Sequence, residues 1–213
     1  CTKADGLIGS YIAVSNGRYS EKQCKPLNTL PMAEYILSGV GDAQTSTMIF
    51  RRVAIAQVLF DETLPKHQDW DLAIRFEQDF ELMIDSMATV ILHRDLGDRM
   101  SLHLNHSATR RFLERHQANL SRETKAHFCF LLAFRTFASE GRTGHYREWV
   151  KEARAANPHA LALKTLLAVF SIPVLDGLAV FFLNGYFRYR KCKASKKLPD
   201  RWESLDSFVY RKE

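Results

Sequence analysis

An α/β domain that passes into a helical extension is the architecture this sequence predicts, on three observations. Short runs rich in β-branched residues alternate with helical periodicity through residues 1–100, whereas almost everything after Ser101 has helical spacing. The charge divides at the same place: residues 1–100 hold 10 Lys/Arg against 14 Asp/Glu, and residues 101–213 hold 20 against 10. With 213 residues, 46% hydrophobic and 25% charged, the chain has material for one sizeable core and is too apolar for wholesale disorder.

The elements follow in order. Leu7 to Val14 is an apolar run bounded by Gly6 and Asn16-Gly17, and predicts a strand. Arg18 to Thr29 is polar, contains Pro26, and predicts a loop. Pro31 to Ser38 predicts a short helix, with proline near its first position and Gly39 just past its end. Thr45 to Phe50 predicts a strand and Arg52 to Val58 a brief helix. From Asp69 the spacing of Leu72, Phe76, Phe80 and Met83 places apolar side chains on one helical face. Met87 to Leu92 then predicts a strand. In the later half a helix ends near Asn119, Ser121 is the expected N-cap of the next, and Gly141 and Gly144 mark a turn. Asn157-Pro158 breaks the helical pattern again, because the residue before proline avoids the helical region. The pair of helices about Gly141 reads as a helical hairpin, with no second copy to make a repeat array.

Four cysteines, Cys1, Cys24, Cys129 and Cys192, lack CxxC spacing and define neither a zinc site nor a disulfide framework. The chain opens on Cys1 without a signal-like segment and reads as a piece of a longer protein. No GxGxxG, P-loop or HExxH is present.

The most informative stretch is Lys66-His67-Gln68-Asp69-Trp70-Asp71-Leu72, two carboxylates flanking an indole at a helix start. A carboxylate there gains hydrogen bonds from free backbone N–H groups and favourable interaction with the helix dipole, so a capped surface helix is the plain alternative. Upstream lie Thr45-Ser46-Thr47-Met48-Ile49-Phe50-Arg51-Arg52 and Leu59-Phe60-Asp61-Glu62. Together these segments resemble the acceptor half of family 2 glycosyltransferases of the GT-A fold, over about residues 1–105. The resemblance implies a partial GT-A (nucleotide-diphospho-sugar transferase) domain lacking its N-terminal nucleotide-binding half, followed by a helical extension over 106–213.

That family carries a short acidic motif, usually Glu-Asp and an aromatic residue, which supplies the general base. Gln68-Asp69-Trp70 occupies its place, with Gln68 where the family usually has Glu. The resemblance therefore makes Asp69 the catalytic base. Gln68, Trp70, Asp71 and the hydroxyl side chains Thr45, Ser46 and Thr47 are the implied acceptor-binding residues. Asp71 either caps the helix or binds a hydroxyl, and Trp70 either faces a sugar ring or packs in the core. Arg94 and Arg99, in the loop after the last strand, are the implied donor-phosphate contacts, since a guanidinium offers two parallel donors; a solvated charged loop is the alternative. Asp69-Trp70-Asp71 opens a helix after Pro65, whereas the family's metal-binding Asp-x-Asp closes a buried strand, so no metal ligand is assigned here. The implied reaction is transfer, with inversion, from a nucleotide-sugar donor to a hydroxyl on a surface polysaccharide or lipid-linked saccharide. A divalent metal, Mg or Mn, is expected only through the other half of such an enzyme.

The C-terminal tail supplies a second signal. Leu161 to Phe187 is strongly apolar but divided by Pro173 and Asp176, and Arg188, Arg190, Lys191, Lys193, Lys196 and Lys197 follow. A span needs about 20 nearly uninterrupted apolar residues, so two short helices against an anionic membrane are expected. Location is then cytoplasmic, peripheral at the inner membrane face. Nucleic acid is not expected, for no recognition motif accompanies the charge. The rival from another class is a non-catalytic helical module that binds a membrane or a partner protein. If the tail is a peripheral binder, vesicle flotation requires acidic lipid and weakens with salt, the charge attraction being screened over about 8 Å at physiological ionic strength. Equal flotation with neutral vesicles, or none with either kind, contradicts it.

Overall fold

A computed structural model describes residues 4–22, 24–27, 30–94 and 103–158. The expected tail helices, Arg99, and Cys1 and Cys192 lie outside the described residues.

One long strand organises the sheet. β1 (Gly6–Ser15) is buried along almost its whole length, and β4 (Leu82–His93) runs parallel to it along one edge. β3 (Met48–Phe50) and then β2 (Arg18–Lys22) follow one another, antiparallel, along the other edge. The polar segment after Asn16-Gly17 is thus a strand, not the expected loop. Asn16 and Gly17 have φ of 51° and 64°, the two-residue turn whose twist suits a hairpin, and Ser15 faces Arg18 across it. β4 also begins five residues before the expected Met87. The register slips between Gly9 and Tyr11, where an irregularity around Asp85–Thr89 breaks the alternation that marks a strand in sequence.

The helices are α1 (Met32–Leu37), α2 (Arg52–Val58), α3 (Gln68–Asp79), α4 (His106–His116), α5 (Arg122–Glu140) and α6 (Gly144–Ala156). α3 stops before Phe80, so Met83 belongs to β4 and not to the helical face expected of it. Thr45–Thr47 forms a single 3₁₀ turn, leaving three residues of the expected strand. Ser121 caps α5 as its sequence position implies, accepting from the Thr124 N–H at 3.1 Å. Cys24 and Cys129 are buried free thiols.

A single apolar cluster runs from Ile8 of β1 through Leu37, Ile74 and Phe76 to Phe112, Leu132 and Trp149. The core therefore crosses residues 105–106 without a break. Polar contacts reinforce the crossing. Glu34 of α1 accepts from the Ser121 N–H and the Thr124 hydroxyl at the start of α5. Asp71 is fully buried and accepts from Arg75 at 2.8 Å, Arg115 at 3.0 Å and His116 at 2.8 Å. Arg115 reaches on to Asp61 at 2.6 Å, and Arg75 to the carbonyls of Val58 and Leu59, each at 2.7 Å. Burial by itself raises the Asp71 carboxyl, but the bonds from His116, Arg75 and Arg115 outweigh it and hold the group below its ordinary value.

Removing this carboxylate leaves His116 without its buried acceptor and takes the buried end of the ion pairs from Arg75 and Arg115, which keep their other partners. Asp71→Ala is expected to cost about 3–5 kcal/mol in urea unfolding at neutral pH. Because the folded value is depressed, the contribution is complete above the unfolded value of 3.8 and disappears as pH falls through the folded one. The difference between wild type and variant should shrink on that acid limb; a constant difference at all pH values contradicts the ionic account.

Candidate active site

α3 begins at an unusual turn. His67, its N-cap, has φ 65° and ψ 23°, a left-handed conformation costly for a residue with a Cβ. Its ring does not cap the helix. It bonds the Thr109 hydroxyl at 2.9 Å and stacks on the Trp70 indole, centroids 4.8 Å apart. Burial, helped by the charges of Lys66 and Arg135, pushes His67 down to about 3, so the ring is neutral. Beside it Lys66 donates to the His103 carbonyl, and burial and Arg135 lower its pKa as well.

Asp69 and Asp71 are two residues apart, about 200° round a helix, so one faces in while the other faces out. Asp69 points into a cleft of about 270 Å³ lined by Gln44, Thr45, Lys66, His67, Gln68, Trp70 and Arg135. One of its oxygens accepts from the Trp70 N–H at 3.0 Å. Burial pushes its carboxyl up to about 6 against that bond, and the negative charge of Asp42 adds to the rise. A carboxylate so placed, ionised just below neutrality and reachable from solvent, has the properties of a general base.

The remaining expected residues divide. Gln68, Trp70 and Thr45 line the cleft with Asp69. Ser46 is exposed, and Thr47 is buried with its hydroxyl donating to the Gln44 carbonyl at 2.9 Å. Asp71 neither caps α3 nor faces the cleft, for its oxygens are committed to Arg75, Arg115 and His116. Arg94 donates to the Tyr11 hydroxyl at 3.0 Å, with its guanidinium 5.7 Å from that ring's centroid.

Asp42, Gln44 and Arg135 carry no motif in the sequence, and Lys66 and His67 lie in the acidic stretch without a role assigned to them there. Asp42 accepts from the Trp70 indole N–H at 3.3 Å, the Tyr11 hydroxyl at 2.9 Å, the Gln44 amide at 2.9 Å and the Ala43 N–H at 2.9 Å. A second cleft of about 340 Å³ lies beyond Trp70, lined by Tyr11, Lys22, Cys24, Gly39, Val40, Gly41 and Asp42. Gly41 is required by packing: a Cβ there would lie 2.0 Å from the Tyr35 ring.

The first cleft sets one carboxylate among Lys66, His67 and Arg135, a donor set that does not fit a divalent cation. Among the described residues no helix is long and apolar enough to cross a membrane.

With this geometry in hand, comparison with known proteins gives one informative likeness. The chain is 43% identical over 47 residues to the amylovoran biosynthesis glycosyltransferase AmsB of Erwinia amylovora. The matched segment is 22% of this chain and covers 16% of that relative's length. The likeness supports a relationship to glycosyltransferases in general. No family model and no solved structure matches the chain.

The raised Asp69 carboxyl also has a stability consequence. Its unfolded value is 3.8 and its folded value about 6, so ionising it destabilises the fold progressively between these values. Asp69→Asn preserves the shape without the charge and is expected to raise stability at pH 7 by about 1–2 kcal/mol, after discounting for solvent in the cleft. The gain should vanish below about pH 4. Thermal melts at both pH values test this; a loss of stability at pH 7 contradicts it.

Proposed function

We propose that this chain carries the acceptor-side part of an inverting glycosyltransferase, of family 2 type with a GT-A-like fold. The observation that carries the reading is Asp69: a carboxylate raised to about 6, at the mouth of an open cleft beside Trp70, in a chain similar over 47 residues to a glycosyltransferase. An acceptor hydroxyl is a poor nucleophile until it loses its proton. Asp69 takes that proton as the acceptor oxygen attacks the anomeric carbon of a nucleotide sugar. The new C–O bond forms on the face opposite the bond to phosphate, which breaks with its electron pair leaving on the nucleoside diphosphate. Protonated Asp69 then returns its proton to water. Trp70 offers an apolar face to the acceptor ring, and Gln68, Gln44 and Thr45 offer groups that bond its hydroxyls.

Arg94 and Arg99 remain the proposed contacts to donor phosphate. A divalent metal belongs, on this reading, to the nucleotide-binding half of a longer enzyme, and no step above uses it. The proposed acceptor is a surface polysaccharide or lipid-linked saccharide. Attachment to the inner membrane face is proposed through the basic tail.

In the full-length enzyme, Asp69→Asn should lower kcat by at least ~10²-fold while donor binding is retained, because an amide cannot accept the proton. In wild type, kcat/KM should rise with pH through about 6 as Asp69 ionises. Near-normal turnover by a folded Asp69→Asn enzyme removes Asp69 from the role of base.

A further inference from the structure

Asp42 is the one carboxylate at the two clefts whose bonding is complete. A carboxylate has about four acceptor positions. In Asp42 one oxygen takes the Ala43 N–H and the Trp70 indole N–H, and the other takes the Tyr11 hydroxyl and the Gln44 amide. Burial, with the Asp42 charge next in effect, holds the Tyr11 phenol well above its ordinary value, so it donates as a neutral hydroxyl. A group so saturated has no lone pair left for an acceptor proton. Its donors come from β1, the 3₁₀ turn region and α3, so it ties the sheet to both walls of the Asp69 cleft.

We propose that Asp42 is a positioning residue of this site: its four accepted bonds fix the Trp70 indole as the partition between the clefts and set the Gln44 amide in the lining of the Asp69 cleft. The catalytic part of that role rests on the reading of Asp69 as base; the positioning part does not. The charge acts in one direction. In its cleft Asp69 is faced by Lys66 and neutral His67 from its own turn and by Arg135 from α5, with Asp42 on the far side of the Trp70 indole. After burial, Asp42 is the charge that opposes its ionisation and keeps the base closer to neutrality.

The test is a carboxyl ¹³C titration of the full chain, with the indole ¹⁵N–H of Trp70 followed in parallel and assigned with Trp70→Phe. In the unmutated chain the Trp70 indole N–H should stay bonded across the Asp69 midpoint, because Asp69 takes the Trp70 backbone N–H and Asp42 takes the indole. Asp42→Asn keeps a planar group that can bond the same partners, Tyr11 and Gln44 being able to reverse their roles. It should leave the indole resonance and its slow hydrogen exchange in place while moving the Asp69 midpoint down. Asp42→Ala should lower the midpoint too, and also release the indole, with exchange at least tenfold faster. An Asp69 midpoint unmoved in a folded Asp42→Asn chain overturns the charge role. An unchanged indole in Asp42→Ala overturns the positioning role. Where neither variant folds, a Trp70 indole N–H that exchanges as fast as an unbonded one in the unmutated chain overturns the positioning role by itself. None of these readouts needs glycosyl transfer, so loss of the base reading in the Asp69→Asn assay is a separate result.

Discussion

The buried carboxylate of Asp71 ties α3 to α4, and the site depends on that tie. Sequence-local atoms alone could not satisfy it. Arg75 comes from the next turn of α3, whereas Arg115 and His116 come from α4, more than forty residues away. A charge taken out of water is tolerated only when such partners surround it. Placing Asp71 against α4 therefore fixes the rotation of α3 about its own axis. Asp69, about 200° away on that axis, is then turned outward into the cleft. The cleft carboxylate and the structural carboxylate are two consequences of one helix orientation.

The same orientation explains the strain at His67. The chain must turn sharply into α3 so that Trp70 meets Phe112 and Phe128, with ring centroids 6.1 and 6.2 Å away. A left-handed residue with a bulky side chain makes that turn. The imidazole's stacking on Trp70 and its bond to Thr109 compensate for the unfavourable backbone. Strain, a desolvated imidazole and a raised carboxyl are thus concentrated within three residues at a helix start. That concentration is what distinguishes this helix entrance from one that is merely capped.

The later half is not an appendage to the sheet in the described residues. Glu34 binds the start of α5, Arg115 and His116 bind Asp71, and Arg135 of α5 lines the cleft with Asp69. The helices from residue 106 onward thus build one wall of the site. The charge balance changes near residue 105 while the apolar cluster continues across it, because composition says nothing about which surfaces pack together.

Local chemistry was legible wherever it is decided by neighbours in the chain. The apolar run of β1, the Ser121 cap, the Gly39 terminus of α1 and the acidic start of α3 follow from side-chain spacing and backbone preference alone. The Asn16-Gly17 hairpin was written there too, in the strongest turn signal of the chain, and the polar residues after it masked an edge strand. Asp69 stood out through its setting within a motif. Other features became determinate only on folding. Asp42 sits in an aperiodic glycine-containing loop, and its partners Tyr11 and Trp70 lie 31 and 28 residues away. Whether Asp71 faced solvent or core rested on α4, and whether Thr47 bound a ligand or its own turn rested on the close of the 3₁₀ segment. Sequence determines which side chains can donate, accept or ionise; only the packed chain decides which of them water still reaches, because burial and long-range partners set the energy of every charge.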